Sequence, residues 1–381
     1  MNLDFIDKWK REIIPGTELS RRVWVDVTYL PKGATDKSQA KDISVELAKY
    51  FLGMTFNDNM TGTIDDVTIQ LEDRARLWQS DWYPEKGATL NININTLNWS
   101  SLSEGLKTLP LGEFEIDEIE GVSSPNTINL KAVAVEGASS MRSTKKSKSW
   151  DKVTLKTIAT EKATENGMQL FWDCSIDPTL EHVEQSRESD LALLHKLCKD
   201  AGFSLKVAKT QIFILDEWKY ESQKPIMILL HPGITWSNEE AEENLLLSRV
   251  ISYRYTDKTR DIFKGCRVRY QNSKKKTVIE AVFMDPQKKD DPTLDLLEVN
   301  EQIKDVAEGE RLARKKLREK NAGETTFSLT IPGNTNVYAS AVMTLKGFGK
   351  LDSDYLVTKC THQITDSYTV SMDLRRCLHG Y

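Results

Sequence analysis

The stretch LEDRARLWQSDWYPEKGATLNI, Leu71 to Ile92, leaves one alternating run, crosses a corner holding Trp78, Trp82 and Tyr83, passes Pro84 and Gly87, and enters a second alternating run. Upstream, DDVTIQLED sets Val67, Ile69 and Leu71 on one face; downstream, TLNININTLNW does the same with Leu90, Ile92 and Ile94. A period of two is the signature of half-buried antiparallel strands, so the stretch reads strand, corner, strand. The runs RRVWVDVTYL, GEFEIDEIEG and NTINLKAVAVEG continue the rhythm between Gly and Pro turn signals. Residues 1–140 are predicted to form an all-β domain at the spacing of a barrel or sandwich. Three large rings at one rim either cap that domain's own core or pack against a neighbour, and Trp82, Tyr83 and Pro84 are expected to be more exposed than Trp78.

The texture changes at Met141. MRSTKKSKSWDK carries Arg142, Lys145, Lys146, Lys148 and Lys152 against Asp151 and reads as a solvated linker. Helical periodicity is expected from Trp150, with Val153, Leu155, Ile158, Ala159 and Ala163 apolar and Gly167 as the stop. MQLFWD reads as a strand. SRESDLALLHKLCKDAG reads as a helix with Leu191, Leu194 and Cys198 on one stripe, followed by the strand pair FSLKV and QIFILD around Ala208–Thr210. Residues 141–217 therefore form a small α/β insertion. From 218 to 381 strand rhythm returns in PIMILL, LSRVISYRYTD, CRVRYQN, KKTVIEAVFM and the closing hairpin YLVTKCTHQITDSYTVSMDLR. One helix at about 300–321 interrupts it, with Asn300 as predicted N-cap and its acidic residues ahead of its basic ones, as the helix dipole favours. The fold class is mainly β (α+β), with β architecture occurring twice.

With 381 residues the chain has material for more than one core. Lys+Arg 52 against Asp+Glu 57 gives a net charge of −5, which argues against nucleic acid as the main ligand. The cysteines Cys174, Cys198, Cys266, Cys360 and Cys377 lack the spacing of a disulfide framework and read as reduced thiols. The N-terminal MNLDFIDKWKREIIPG lacks a secretory apolar segment, and IMILL, the longest aliphatic run, falls far short of the roughly 20 residues that span a bilayer. A soluble chain without membrane anchoring is expected.

Motifs for chemistry are sparse. There is no GxxxxGK[ST] loop, and KGFGK around Gly347 and Gly349 reads as glycines at a strand turn. Cys174, His182, His195 and Cys198 could be drawn as a metal quartet, but buried thiols and solvated histidines account for them, so neither metal nor cofactor is expected. No GxSxG elbow and no histidine in a triad context point to nucleophilic catalysis. Acidic pairs such as Asp65–Asp66 and Glu239–Glu240 read as solvated faces in a chain that is 29% charged. Lysines beside Trp150 could hold phosphate and stack a base, a reading the acidic net charge opposes.

The ordered series FNDNMTGTIDDVTIQLEDRARLWQSDWYPEKGATLNI, LPLGEFEIDEIEG, RSTKKSKSWDKVTLKTIATEKATENG, QSRESDLALLHKLCKDAG and the final hairpin resembles the late control protein D family, the central baseplate hub of contractile phage tails, itself similar to the hub half of type VI secretion spike proteins. The resemblance implies two tube-like β-barrel domains around the α/β insertion, and a structural protein rather than an enzyme. It further implies a homotrimeric ring of pseudo-sixfold symmetry that joins a sixfold tail tube to a threefold spike, within a virion or tail-like particle assembled in the bacterial host cytoplasm. Expected partners are the tube protein, the spike protein and other baseplate and tape-measure components; any DNA would only pass through the ring, without specific recognition. On this reading Trp78, Trp82, Tyr83 and Pro84 belong to the rim and interface of the first barrel. Arg142, Lys145, Lys146, Lys148 and Trp150 would form a basic brace against a neighbouring component. Alternatives are a hub-associated cell-wall hydrolase and a glycan-binding β protein that uses the tryptophans as a stacking platform.

Overall fold

The computed structural model describes residues 20–34, 37–61, 63–134, 141–142, 144–208, 211–234, 246–272, 277–303 and 305–380. The charged N-terminal stretch, the turn residues 209–210 and the pair Glu239–Glu240 lie outside them. The alternating runs of the first half become β1 (Arg22–Leu30), the short β2 (Lys41–Asp42), β3 (Phe51–Asn59), β4 (Asp66–Glu72), β5 (Thr89–Leu97), β6 (Leu106–Val122) and β7 (Thr127–Ala134), with a small helix α1 (Ser44–Ala48) between β2 and β3. Next come β8 (Lys145–Thr154), α2 (Leu155–Glu165), β9 (Gln169–Asp173), β10 (Thr179–Ser189), α3 (Asp190–Ala201), β11 (Phe203–Ala208), β12 (Gln211–Asp216) and α4 (Glu217–Glu221). The remainder carries β13 (Met227–Leu230), β14 (Leu246–Arg249), β15 (Ser252–Asp257), β16 (Gly265–Asn272), β17 (Thr277–Met284), β18 (Leu296–Val299), α5 (Val306–Asn321), β19 (Thr325–Pro332), β20 (Val342–Lys346), β21 (Ser353–Ile364) and β22 (Tyr368–Arg376).

Alternation assigns the faces as expected: Val67, Ile69, Leu71, Ile92 and Ile94 are fully buried and Leu90 nearly so. Each such side chain contributes about 1.5–3 kcal/mol by leaving water. The main sheet has 14 strands. One path through it, β15–β19–β22–β21–β3–β4–β7–β6–β5–β1, is antiparallel at every step. From β21 a side arm runs through β20 and β13 to β14.

The ladders do not divide into two separate barrels, and among the described residues no set of strands closes into a ring of paired neighbours. The reason is the length of β21. Its first residues pair with β20 and its last, Lys359–Ile364, with Met54–Asn59 of β3, so one strand bridges the two β halves. The core follows the sheet: Phe56 meets Phe114 edge to face and His362 at a tilt, and a single cluster runs from Val25 to Leu374.

Two α/β units stand apart from this sheet. In the first, β8 pairs with β10, and β9, β11 and β12 form a three-stranded sheet under α2 and α3. Its core holds Trp150, Leu155, Ile158, Leu194, Cys198, Ile212 and Ile214. The basic run is therefore a strand and not a linker, and α2 begins five residues after Trp150, where the Thr154 hydroxyl accepts the Thr157 N–H. α3 is closed at both ends, by the Ser189 hydroxyl accepting from Ala192 N–H and by Gly202 in the left-handed region at φ +78°. In the second unit β16, β17 and β18 carry α5 over a core of Cys266, Val268, Ile303, Ala313 and Leu317. The helix predicted from Asn300 starts at Val306, because the Asp305 carboxylate accepts the Glu308 N–H at 2.8 Å and caps it there. Gly309 lets α5 lie close on the sheet: a Cβ at that position would sit 2.7 Å from the Ala281 methyl.

Candidate assembly interface

The aromatic corner is built on Asp73, which is almost fully buried and whose carboxylate accepts the Trp78 N–H at 3.0 Å. This fixes the turn after β4 and drives Trp78 into the core, 6% exposed. Tyr50, just ahead of β3, completes a triangle of edge-to-face rings: Tyr50–Trp78 at 6.2 Å, Tyr50–Trp82 at 5.8 Å and Trp78–Trp82 at 5.5 Å. Trp82 and Tyr83 remain 39% and 52% exposed. Pro84, expected beside them on the surface, is buried. The chain after Tyr83 turns back onto the end of β1, where Glu85 N–H reaches the Tyr29 hydroxyl at 3.4 Å and the Glu85 carboxylate accepts Lys32 N–H at 3.3 Å.

The basic strand is arranged differently. Lys146 reaches Asp190 at 2.6 Å and Glu165 at 2.9 Å, and Lys148 reaches Glu161 at 2.6 Å. Lys162, itself buried, contacts Asp190 and Glu165 at 3.1 Å each. The Trp150 indole N–H donates to Glu161 at 3.0 Å, and the Lys148 and Lys162 ammonium groups lie 5.2 and 5.1 Å from its ring centre. Burial raises the Asp190 pKa, but hydrogen bonds from Lys146, Gln185, Asn166 and Lys162 outweigh it and hold the carboxyl down at about 2. Arg142 is exposed and pairs with Asp117 at 3.3 Å, while Lys145 is exposed on β8. Thus Lys146, Lys148 and Trp150 are brought together inside the first α/β unit, around acidic partners of that same unit.

A constellation that sequence inspection passed over lies in the main core. Cys360 Sγ is 3.3 Å from His362 Nε2, whose ring Nδ1 is 2.7 Å from the Tyr368 hydroxyl. The alternation in KCTHQ, which places Cys360 and His362 on one face, was the available signal. Burial pushes the thiol well above its usual range and lowers the histidine to about 4, so the Cys carries no thiolate for attack. The glycine turn is occupied by its own chain: Gly347 and Phe348 N–H groups donate to the Asp352 carboxylate at 3.0 and 2.6 Å. His182 pairs with Asp151 at 2.6 Å, Cys198 is in a core, and all five cysteines are free thiols. Among the described residues no three His, Cys, Asp or Glu are grouped to hold a metal ion, and no helix is long and apolar enough to cross a membrane.

Residues 127–368 match the family model described as phage tail baseplate hub (GPD). The probable baseplate hub protein of Escherichia phage P2 is 26% identical over 181 residues, 46% of this chain and 43% of that protein. The probable baseplate hub protein of Escherichia phage 186 is 24% identical over 177 residues, 46% of this chain and 43% of that one, so the matched segments span less than half of these curated relatives. Among solved structures, the 43 kDa tail protein of prophage MuSo2 from Shewanella oneidensis superposes with a TM-score of 0.63 at 10% identity, covering 92% of this chain and 98% of that one. The tail protein from Neisseria meningitidis MC58 gives 0.60 at 11% identity, covering 93% and 96%. The E. coli c3393 protein, a component of the type VI secretion system, gives 0.53 at 13% identity, covering 86% and 73%. At such identities these structures speak for the fold alone. The family model, spanning more than half of the sequence and including both the basic strand and β21, decides membership: the chain belongs to the phage tail baseplate hub family.

Proposed function

We propose that this chain is the structural, non-enzymatic central hub of a contractile-tail baseplate, in a phage or a phage-tail-like particle, and that three copies close into a ring. Each copy contributes two β halves, so the ring presents six similar units to a sixfold tail tube and three identical chains to a threefold spike. Other baseplate and tape-measure components complete its surroundings. The working units are 1–140, 141–217 and 218–381, with the two β halves acting as barrel-like bodies.

The observation that carries this reading is the family match over residues 127–368, joined to a sheet in which β3 and β21 weld the two halves of one chain together. A symmetry adaptor needs that rigidity, since two halves free to move could not hold sixfold spacing. The barrel-like character of the second half is supported by the segment 246–257. It leaves β13 for β19 while Val250 N–H still bonds Leu230 O and Ile251 N–H bonds Thr330 O, wrapping the strands around Phe327 and Tyr355. A closed trimer requires heterologous contacts between unlike faces, and exposed rings such as Trp82 and Tyr83 supply one such face.

Native mass spectrometry tests the proposal. A particle of about three times the 43.4 kDa chain is expected for the protein alone or with a candidate spike protein. A strict monomer in both samples would remove the hub reading.

A further inference from the structure

The last strand of the long antiparallel path behaves unlike its neighbours. All six residues of β15 are exposed, on both faces of the strand, although it pairs along its whole length with β19. Tyr253 and Tyr255 are 39% and 51% exposed, and Ile251 just before them 55%. Strands at the end of a sheet normally carry charges, prolines or bulges that discourage pairing. β15 carries charges at Arg254 and Asp257 but no proline, its six pairs with β19 keep one register, and it presents two tyrosines.

The direction of its backbone groups follows from the ladder. Lys258 N–H bonds Glu324 O, in register with the β15–β19 pairs, so Thr256, Arg254 and Ser252 turn their hydrogen-bonding groups toward β19. By the alternation of antiparallel ladders, Tyr253 and Tyr255 turn theirs outward. At the other end of the path, β1 has the same property. Val27 accepts from Ile43 N–H and donates to the Ser44 hydroxyl on its outer side, and β2 covers only Thr28 and Tyr29. The groups that point outward from the rest of β1 belong to Val23 and Val25, and among the described residues no strand pairs there.

We propose that β15 of one copy pairs antiparallel with β1 of the next, and that this edge contact closes the ring. The inference rests on the trimer proposed above and names its interface. Matching the two outward pairs sets the register as Tyr253 opposite Val25 and Tyr255 opposite Val23. Capping of Val27 blocks a shift of two residues further along β1, and a shift of one would set outward groups against inward ones. In this register Arg254 lies opposite Trp24, a cation beside an indole, and Asp257 opposite Arg21, a pair of opposite charges. Tyr253 and Tyr255 continue the apolar face of Val23 and Val25, and the join preserves the antiparallel order that runs unbroken through each chain.

The test is a disulfide across the join. Arg254 and Trp24 would occupy a non-hydrogen-bonded pair with Cα atoms about 4.5 Å apart, within the range of about 4.4–6.8 Å for a disulfide. Oxidation of the double variant Trp24→Cys/Arg254→Cys is expected to give covalent trimers on a non-reducing gel, at least about tenfold more than either single variant or the unmodified chain, whose own thiols are buried apart from the half-buried Cys174. Should the double variant fail to assemble, hydrogen exchange of the unmodified protein decides: the amides of Val23, Val25, Tyr253 and Tyr255 should exchange at least about tenfold more slowly in the trimer than in diluted monomer. A trimer whose edge amides exchange as fast as in the monomer would overturn the edge pairing and leave the trimer standing. A chain that is monomeric at every concentration would remove the trimer itself, and the pairing with it.

Discussion

The aromatic corner and the basic strand β8 look alike as sequence: each sets tryptophan among charges next to a turn. The fold treats them in opposite ways. On β8 Lys146 and Lys148 find Glu161, Glu165 and Asp190 on the helices packed over them, and Trp150 gives its N–H to Glu161, so these three residues are satisfied inside the unit while Lys145 and Lys152 stay exposed. At the corner only Trp78 is absorbed; Trp82 keeps one edge against Tyr50 and Trp78 and turns the rest to solvent with Tyr83. Conspicuous residues mark a contact surface only where the fold leaves their demands unmet. The corner qualifies, and Lys146, Lys148 and Trp150 of the basic strand do not.

The sharpest way to break this contrast is at Asp190. Its side chain is fully buried between Lys146 and the buried Lys162. Asp190→Ala takes a carboxylate from both ammonium groups and leaves them Glu165, so it should cost about 3 kcal/mol in urea unfolding of the full chain, the low end of the range seen when one member of a buried ion pair is removed. A loss below about 1 kcal/mol would mean that β8's charge is solvated after all. At the corner the matching change is Trp78→Ala, expected to cost about 3 kcal/mol. The figure sits at the low end for a buried tryptophan because the indole N–H has no hydrogen-bond partner among the described residues that would be lost with it.

Acidity separates buried carboxyls by the company they keep. Asp190, held down at about 2 against the desolvation that opposes it, contributes stability that is complete above its unfolded pKa of about 4 and disappears as pH falls toward 2. Asp65, at the junction of β4 with the first α/β unit, goes the other way. Burial raises it to about 6, and the attraction of Lys206 is shared with Asp58. Its folded form binds the proton more tightly than its unfolded form, so its own contribution to stability should fall as pH rises from about 4 to 6, by on the order of 2 kcal/mol. His362, held near 4, titrates in the same window with the opposite sign in the natural chain and in Asp65→Asn alike, so the check is the difference between their unfolding curves: the variant should gain on the natural chain as pH rises from about 4 to 6. A difference that stays constant across that window would mean that the Lys206 junction is not desolvated as described.

Much of the fold was legible because alternation is a local property: Val67, Ile69, Leu71, Leu90, Ile92 and Ile94 could be placed on one face from spacing alone. What escaped depends on partners far along the chain. β10 is nearly all polar, with only Leu180 and Val183 apolar, and becomes a strand because β8 lies beside it. The partner that neutralises Lys146 is 44 residues away. The join of β3 to β21 spans some three hundred residues, and no local pattern announces that one twelve-residue strand will serve two neighbours on the same side. The start of α5 was a choice between two good caps, Asn300 and Asp305, settled by the hydrogen bond that only Asp305 makes to the first turn. Pro84 read as surface because it follows Tyr83; the return of Glu85 to β1 puts it inside.

The smallest effect on folding, and the most informative for assembly, belongs to the exposed part of the corner. In the double variant Trp82→Ala/Tyr83→Ala the monomer loses the edge contacts of Trp82 with Tyr50 and Trp78 and little else, so unfolding of the isolated chain should shift by no more than about 1 kcal/mol. If the corner faces a neighbouring subunit, those rings are buried there, and removing two aromatic anchors from an interface costs about 2 kcal/mol or more. The trimer fraction by native mass spectrometry at a fixed concentration should then fall by at least tenfold while the monomer keeps its melting temperature. An unchanged trimer fraction would free the corner from subunit contacts and leave β15 and β1 to close the ring alone. A large loss of monomer stability would show instead that Trp82 belongs to the core with Trp78, and would erase the difference between the two ends of the aromatic triangle.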